Sequence, residues 1–201
     1  MDYATGRNHV LDLLPKGDVG AEIGVWQGGF TDRILAHARP RRLYAVDPWV
    51  LSADPIHRDA WYGAASGVDM DAVHAGFLRD FDAEIASGVL QVRREKSAAA
   101  LGRFEQGSLG FVYIDGDHTY DAVRRDLDLS LAACRVGALI CLDDHCPGKW
   151  WGDSILRAAA AFLQAHENRC TVRFSGGAQL VIEVTTGPDG GKGRTIADRQ
   201  G

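Results

Sequence analysis

The segment Phe111-Val-Tyr-Ile-Asp-Gly-Asp-His-Thr-Tyr120 passes from strand-forming residues into an acidic turn, residues 115–118. A helical pattern starts directly after this turn. In an α/β protein, ligands bind at the carboxyl ends of the parallel strands. Because the turn places two carboxylates and an imidazole at such an end, it carries more chemistry than a change of chain direction requires.

Alternating strand and helix patterns surround this segment and predict a doubly wound α/β fold. We expect a mostly parallel, seven-stranded sheet with a C-terminal antiparallel hairpin. The predicted strands are 19–23, 42–46, 89–93, 109–114, 137–142, 171–174 and 179–184. The predicted helices are 5–14, 30–38, 70–85, 120–134 and 153–166. We expect a single domain over 1–186, with 49–88 as a lid or substrate insertion and 187–201 as a flexible tail.

Composition and charge exclude several classes of function. The 201 residues carry a formal net charge of -5, which offers no attraction for nucleic acid or an anionic membrane surface. The sequence has no apolar run long enough to span a bilayer, and its N-terminus lacks a signal-peptide pattern. We therefore expect a cytoplasmic protein with no membrane or nucleic-acid partner.

A glycine loop, residues 24–29, joins the first predicted strand to a helix. Gly24 and Gly28 allow a ligand to approach the backbone, and the N–H groups of the helix start suit an anion. A dinucleotide-binding loop would have the pattern G-x-G-x-x-G, but Trp26 occupies the middle glycine position. By itself the loop is equally compatible with an ordinary tight turn.

Asp47 ends the second strand, 23 residues after Gly24. A carboxylate at this place can accept both hydroxyls of a ribose, although it can also cap a helix or remain solvated. Together with the glycine loop, it favours nucleoside binding.

Acidic residues also follow the fourth and fifth strands. If these strands are neighbours, Asp115, Asp143 and Asp144 converge, and a proton or a divalent cation such as Mg²⁺ must relieve their repulsion. Alternatively, some of these acids cap helices or hold cofactor amines. His118 is a candidate general base, with orientation of the loop as the alternative role.

Aromatic residues near these strand ends are candidates for substrate contact. Trp61 lies in the mixed segment before the third strand, while His145, Trp150 and Trp151 follow the fifth. Tryptophans beside a cleft often pack on a substrate. The alternative is that the residues after the fifth strand pack against the 49–68 segment and close the domain.

Over residues 19–184, the sequence resembles the class I S-adenosylmethionine-dependent methyltransferases. The run Glu22-Ile-Gly-Val-Trp-Gln-Gly-Gly-Phe-Thr31 resembles the motif that wraps the methionine part of the cofactor. The resemblance implies cofactor contacts, which we assign to Glu22, Gly24, Gly28, Phe30, Thr31, Asp47, Ser97 and Asp115. Among these, Asp47 matches the ribose-binding acid, and Ser97 falls where the adenine ring is bordered.

Within that class, the acidic turn and the later Asp143-Asp144 pair are similar to those of the macrolide and macrocin O-methyltransferases and the cephalosporin-hydroxylase-like proteins. That resemblance implies magnesium on Asp115, Asp143 and Asp144, with Asp115 and His118 as the catalytic residues. The signature of amine methyltransferases is absent at Asp115. His145 stands where close relatives have Tyr, and the short N-terminus suggests an acceptor site that is either open or completed by a second subunit of a homo-oligomer.

The sequence therefore predicts metal-assisted methyl transfer to a hydroxyl of a small molecule, such as a sugar or natural product. Three alternatives remain open at this stage. One is a non-catalytic module that binds S-adenosylmethionine, and another is a hydroxylase-like member of the resembling group. The third, a nicotinamide oxidoreductase, is disfavoured by Trp26 in the glycine loop.

Overall fold

A computed structural model of the protein describes residues 1–58, 60–148 and 150–187. The strands are β1 Val19–Ile23, β2 Arg42–Val46, β3 Leu90–Arg93, β4 Leu109–Ile114, β5 Cys134–Leu142, β6 Cys170–Gly176 and β7 Gln179–Val184. They form one sheet in the order β3-β2-β1-β4-β5-β7-β6. β1 to β5 pair in parallel, whereas β7 is antiparallel to both β5 and β6. The predicted fold class is confirmed.

Helices cover both faces of this sheet. Their bounds are α1 Tyr3–Leu13, α2 Gly29–Ala38, α3 Met70–Asp80, α4 Asp82–Ala86, α5 Ser97–Leu101, α6 Tyr120–Ala133 and α7 Ser154–Ala165. One apolar cluster packs α1, α2 and α3 against the sheet, and a second packs α5, α6 and α7 against the opposite face. All six residues of β4 are buried, as expected for the central strand of a three-layer fold.

The strand order reverses between β1 and β4, which makes their carboxyl ends the switch point of the sheet. Ile23 and Ile114 are paired in register at these ends. The backbone N–H of Asp115 donates to the carbonyl of Ile23 at 2.7 Å, so the acidic turn lies directly beside the glycine loop.

Several predicted element boundaries are corrected by the structure. The helix predicted over 70–85 is two helices, because Phe81 leaves the helical conformation (φ -117°, ψ 25°) and buries its ring against Phe77. Short α5 was not predicted, and β5 begins at Cys134 rather than at residue 137. Gly137, which has φ 81°, lies where β5 pairs irregularly with β4. Because this glycine interrupts the strand pattern, the sequence did not predict residues 134–136 as part of β5.

The segment 49–88 contains two different parts. α3 packs into the core through Phe77, which is 1% exposed, whereas the described residues of 49–68 form two 3-10 turns, Pro55–His57 and Ala64–Ser66, and an isolated bridge between Ser52 and Gly63. Among the described residues, no helix has the length and apolar character needed to cross a membrane. The predicted flexible tail lies outside the described residues from position 188 onwards.

Candidate functional site

The glycine loop touches the acidic turn, and this contact requires a glycine. Gly24 has φ 82°, and a Cβ added to it would lie 2.0 Å from the carbonyl oxygen of Asp115. Any side chain would push the loop away from β4. A Cβ added to Gly28, which has φ 86°, would lie 2.4 Å from the ring of Phe81 and 2.8 Å from that of Phe77. Glycine at this position therefore lets the two rings pack against the loop.

Three of the predicted cofactor residues lie beneath the loop. Thr31 Oγ1 donates a 2.6 Å hydrogen bond to Glu22 Oε2, and both side chains are buried. Burial raises the pKa of Glu22 to about 8 although the bond from Thr31 opposes this, so the carboxyl group is mainly protonated at neutral pH. Phe30 stacks on Tyr113 with ring centroids 4.1 Å apart. Cofactor contact by these three residues stays a prediction.

Asp47 connects the loops that follow β1 and β2. Its Oδ2 accepts hydrogen bonds from the backbone N–H groups of Val25 at 2.9 Å and Trp26 at 3.0 Å. Its Oδ1 accepts from the N–H of Trp49 at 2.7 Å. Both tryptophans have left-handed backbones, with φ 55° and 43°, a strained conformation that clusters at functional sites. The predicted ribose-binding acid therefore shapes the loops around it.

Asp143 is buried and surrounded by hydrogen-bond donors. It accepts bonds from the side chains of Tyr3 (3.0 Å), Tyr113 (2.8 Å), Arg7 and Gln179, and from the backbone N–H of Asp144 (2.8 Å). Arg7 also contacts Asp115 at 2.9 Å. A guanidinium group from α1 thus supplies the counter-charge that the sequence analysis assigned to a proton or a cation.

The two acids paired with Arg7 differ in their pKa. Burial raises the pKa of Asp143, but the guanidinium of Arg7 and the surrounding donors outweigh it, so the pKa lies below its ordinary value. Burial, followed by the charge of Asp143, raises the pKa of Asp115 well above its ordinary value. Asp143 is therefore the firmly ionised partner of Arg7, and Asp115 takes up a proton more readily.

His118 and Asp144 form a hydrogen-bonded pair at the edge of the sheet. Nε2 of His118 lies 3.0 Å from Oδ2 of Asp144, whose φ of 50° is a third left-handed backbone near the strand ends. One ligand atom from each of Asp115, His118 and Asp144 lies within 4.8 Å of the others. The structure thus brings two of the three predicted metal ligands together with His118, while the carboxylate of Asp143 is directed to Arg7.

The predicted substrate residues separate into two groups. Trp150 stacks parallel to His118 at 5.8 Å, and Trp151 meets its edge at 4.8 Å. Trp61 is 50% exposed and lies 3.9 Å from the ring of Trp26. The backbone N–H of His145 donates to the carbonyl of Ala178, in the turn before β7, at 2.9 Å.

Ser97 is the first residue of α5, and its hydroxyl donates to Asp126 Oδ1 at 2.8 Å. Burial raises the pKa of Asp126 to about 6, and the bond from Ser97 opposes the rise. The position of Ser97 beyond β3 agrees with the assignment, but its contact with adenine stays a prediction.

Tyr3 and Arg7, the residues that α1 contributes to the site, were not predicted from the sequence. Tyr3 and Arg7 stand four positions apart, so they lie on the same face of the helix and reach Asp143 together. This spacing was the only available signal, and it does not specify which surface the helix covers.

Comparisons with known proteins give the family of the chain and support its fold. A family described as a methyltransferase domain matches residues 21–145. A putative rRNA methylase from Clostridium thermocellum is similar in structure, with TM-score 0.63 and 9% identity over 92% of this chain and 96% of that one. A Corynebacterium glutamicum protein gives TM-score 0.61 and 15% identity over 91% and 81%. Geranyl diphosphate methyltransferase in complex with S-adenosylmethionine gives TM-score 0.54 and 14% identity over 90% and 83%. No curated protein matches the sequence.

Proposed function

We propose that this chain, which belongs to the family of methyltransferase domains and uses S-adenosylmethionine, transfers the methyl group to a hydroxyl of a small molecule. The observation that carries the proposal is the 3.0 Å contact between His118 Nε2 and Asp144 Oδ2 beside the switch point. A hydroxyl is a poor nucleophile at neutral pH, and an imidazole oriented by a carboxylate is a suitable general base for it.

The proposed reaction uses the two ring nitrogens of His118 differently. With a proton on Nε2 directed to Asp144, Nδ1 is the free acceptor. The acceptor oxygen attacks the methyl carbon as the carbon–sulfur bond breaks, and the sulfonium becomes the neutral thioether of S-adenosylhomocysteine. The hydroxyl proton passes to His118, and Asp144 stabilises the imidazolium. Most of the remaining rate enhancement comes from holding the two reactants in line.

The aromatic residues around His118 support a small, ring-containing acceptor. Trp150 and Trp151 lie on two sides of the imidazole, and Trp61 is half exposed on the segment before α3. Indole faces pack well on the apolar face of a sugar or on an aromatic ring. A sugar or a natural product with a free hydroxyl is the acceptor class that we propose.

The same edge has a donor set that fits a divalent cation, which we propose as an assisting group. Two carboxylates and one imidazole, from Asp115, Asp144 and His118, suit a metal such as Mn²⁺ better than Mg²⁺, which prefers oxygen ligands alone. Because an imidazole bound to the metal could not also take the hydroxyl proton, the cation would act in place of His118 as the base and not beside it. A bound cation would supply positive charge close to the acceptor oxygen. The magnesium set that included Asp143 is less well supported, since both oxygens of that buried carboxylate already accept hydrogen bonds, Oδ2 from Arg7 and Tyr113 and Oδ1 from Gln179.

The central test is methyl transfer from S-adenosylmethionine to a panel of hydroxylated sugars and natural products, measured as S-adenosylhomocysteine formed. We expect His118→Ala to lower kcat by roughly 10²- to 10⁴-fold. His166→Ala is a matched control, because His166 makes a similar 2.9 Å contact to Asp128 away from the site. Cofactor binding with no turnover on any hydroxyl would favour the non-catalytic module, and turnover with hydroxylation would favour the hydroxylase-like alternative.

The cation is tested separately by calorimetric titration with Mn²⁺ and by turnover in chelator. We expect Asp144→Asn to weaken Mn²⁺ binding, and Asp128→Asn, which removes a carboxylate that contacts a histidine away from the site, to leave it nearly unchanged. Asparagine at 144 tolerates the left-handed backbone of that position. Undiminished turnover in excess chelator, together with a silent Asp144→Asn, would show that no cation takes part.

A further inference from the structure

Asp117 in the acidic turn is joined to the segment 49–68 by a buried histidine. Nε2 of His57 lies 3.2 Å from Asp117 Oδ1, and its Nδ1 lies 2.6 Å from the hydroxyl of Ser52. His57 is only 5% exposed. Asp117 also accepts the backbone N–H of Thr119 at 2.9 Å, at the start of α6. We call the three residues the Ser52–His57–Asp117 bridge.

The bridge fastens a loop that is closed on itself. Ser52 N–H donates to the carbonyl of Tyr62 at 2.8 Å, and Ala64 N–H donates to the carbonyl of Ser52 at 2.9 Å. The ring of His57 packs 5.3 Å from Tyr62 and meets the edge of Trp150 at 4.9 Å. Any movement of the loop away from the acidic turn must therefore break the contact between His57 and Asp117.

None of the contacts described above involves the hydroxyl of Tyr62. It is buried and has no acceptor for its proton among the residues that the structure describes, while the backbone N–H of His118 lies close to its oxygen. A phenol keeps its proton at neutral pH, so this hydroxyl can act as a donor. A buried hydroxyl whose proton has no acceptor loses free energy, which a ligand with an acceptor atom would restore.

We propose that His57 is a positioning residue whose bridge to Ser52 and Asp117 holds the Tyr62 hydroxyl in place to donate a hydrogen bond to the small-molecule acceptor. This inference rests on the proposed function, because it assigns the donor to the acceptor that His118 deprotonates. It gives Asp117 a role distinct from those of Asp115 and His118. The competing explanation is that the bridge only stabilises a surface loop.

The bridge itself is tested by hydrogen exchange of the backbone amides in residues 50–66. Two substitutions of His57 are compared, and each keeps one of its two contacts. The amide of Asn reaches the position of Nδ1, and that of Gln reaches the position of Nε2. His57→Asn therefore loses the contact to Asp117, and we expect the amides of Ser52 and Ala64 to exchange roughly tenfold faster. His57→Gln should remain closer to the wild type, and the exposed His37→Asn is the control.

Exchange that is unchanged in His57→Asn would overturn the bridge, whether or not the protein methylates any hydroxyl. The failure of this inference is therefore distinguishable from failure of the proposed function.

The role of Tyr62 is tested with an acceptor that supports turnover. We expect Tyr62→Phe and His57→Asn each to raise the KM for that acceptor roughly tenfold, with partial rescue in His57→Gln. The Kd for S-adenosylhomocysteine, measured by calorimetry, should stay within about twofold of the wild-type value. An unchanged acceptor KM in Tyr62→Phe, or an equal loss of S-adenosylhomocysteine affinity, would show that the hydroxyl does not recognise the acceptor.

Discussion

The guanidinium group of Arg7 lies 2.9 Å from Oδ2 of Asp115 and also pairs with the buried Asp143. A cation from the first helix thus supplies counter-charge to the acids at the ends of β4 and β5. This part of the counter-charge belongs to the fold itself. α1 therefore belongs to the site, and changes in its position alter the charge that a ligand meets.

Removal of the Arg7 charge should destabilise the whole domain. In Arg7→Met, Asp143 stays buried among polar partners but loses its ionic partner, and breaking such a pair costs about 3–5 kcal/mol. The free energy of unfolding, from urea titration at pH 7, measures this loss. Arg33→Met is the control, because the Arg33 guanidinium bonds Asn8 at the surface and lies 5.4 Å from the ring of Phe30, with no salt bridge to an acid among the described residues. Its loss should cost about 0.5 kcal/mol or less. Equal effects of the two substitutions would contradict the assignment.

Glu22 gives the stability of the protein a defined pH dependence. Its pKa is about 8 in the folded protein, against 4.5 for an ordinary glutamate, so the folded state holds the proton that the unfolded state releases. The free energy of unfolding therefore falls as the pH rises between these two values. The loss is roughly 1.4 kcal/mol for each pKa unit by which the folded and unfolded states differ. Glu22→Gln removes the titration and keeps an oxygen that can accept from Thr31.

We expect Glu22→Gln to gain stability relative to the wild type as the pH is raised from 5 to 9. Thermal unfolding at a series of pH values measures the difference between the two proteins. A constant difference over this range would mean that Glu22 is ionised in the folded state.

The fold was predictable because its signals are local and repeated. β1, β2, β4 and β7 have the bounds that the sequence predicted, since each is an apolar run with clear ends, and Pro48 stops the chain after β2. Short α5 has only five residues and too few periods to reveal a helix.

The site was predictable only in part, because side-chain direction depends on neighbours that are distant in sequence. Asp143 and Asp144 are adjacent acids after β5, and the left-handed backbone of Asp144 turns the chain between their two side chains. One therefore reaches Arg7 in the interior, and the other reaches His118. The sequence showed that both acids were present, but it contained no signal for Arg7 and so could not assign them separate roles.

Asp47 should matter for cofactor binding through the shape of the loops as well as by contact. Asp47→Ala leaves the N–H groups of Val25, Trp26 and Trp49 without their acceptor, and two of these residues have strained backbones. We expect the Kd for S-adenosylhomocysteine to rise by at least tenfold, since the loss of one such bond is worth about 1–3 kcal/mol. Calorimetry measures the affinity.

Asp69→Ala is a matched control for this effect, because Asp69 also accepts a backbone N–H, from Ala72 at 2.9 Å at the start of α3. It should cost about 1 kcal/mol of stability and leave the affinity unchanged. A similar loss of affinity in both variants would mean that general destabilisation, and not the loops at Asp47, controls cofactor binding.

His118 and Asp144 should behave as one unit in methyl transfer. If Asp144 acts by orienting the imidazole, its effect disappears once the imidazole is gone, so the losses do not add. We expect Asp144→Asn to lower kcat about 10²-fold or more, and the double variant with His118→Ala to be no slower than His118→Ala alone. The four kcat values, each taken at saturating acceptor, form the double-mutant cycle. Additive losses would show that the two residues act independently, for example with Asp144 as a cation ligand and His118 as the base.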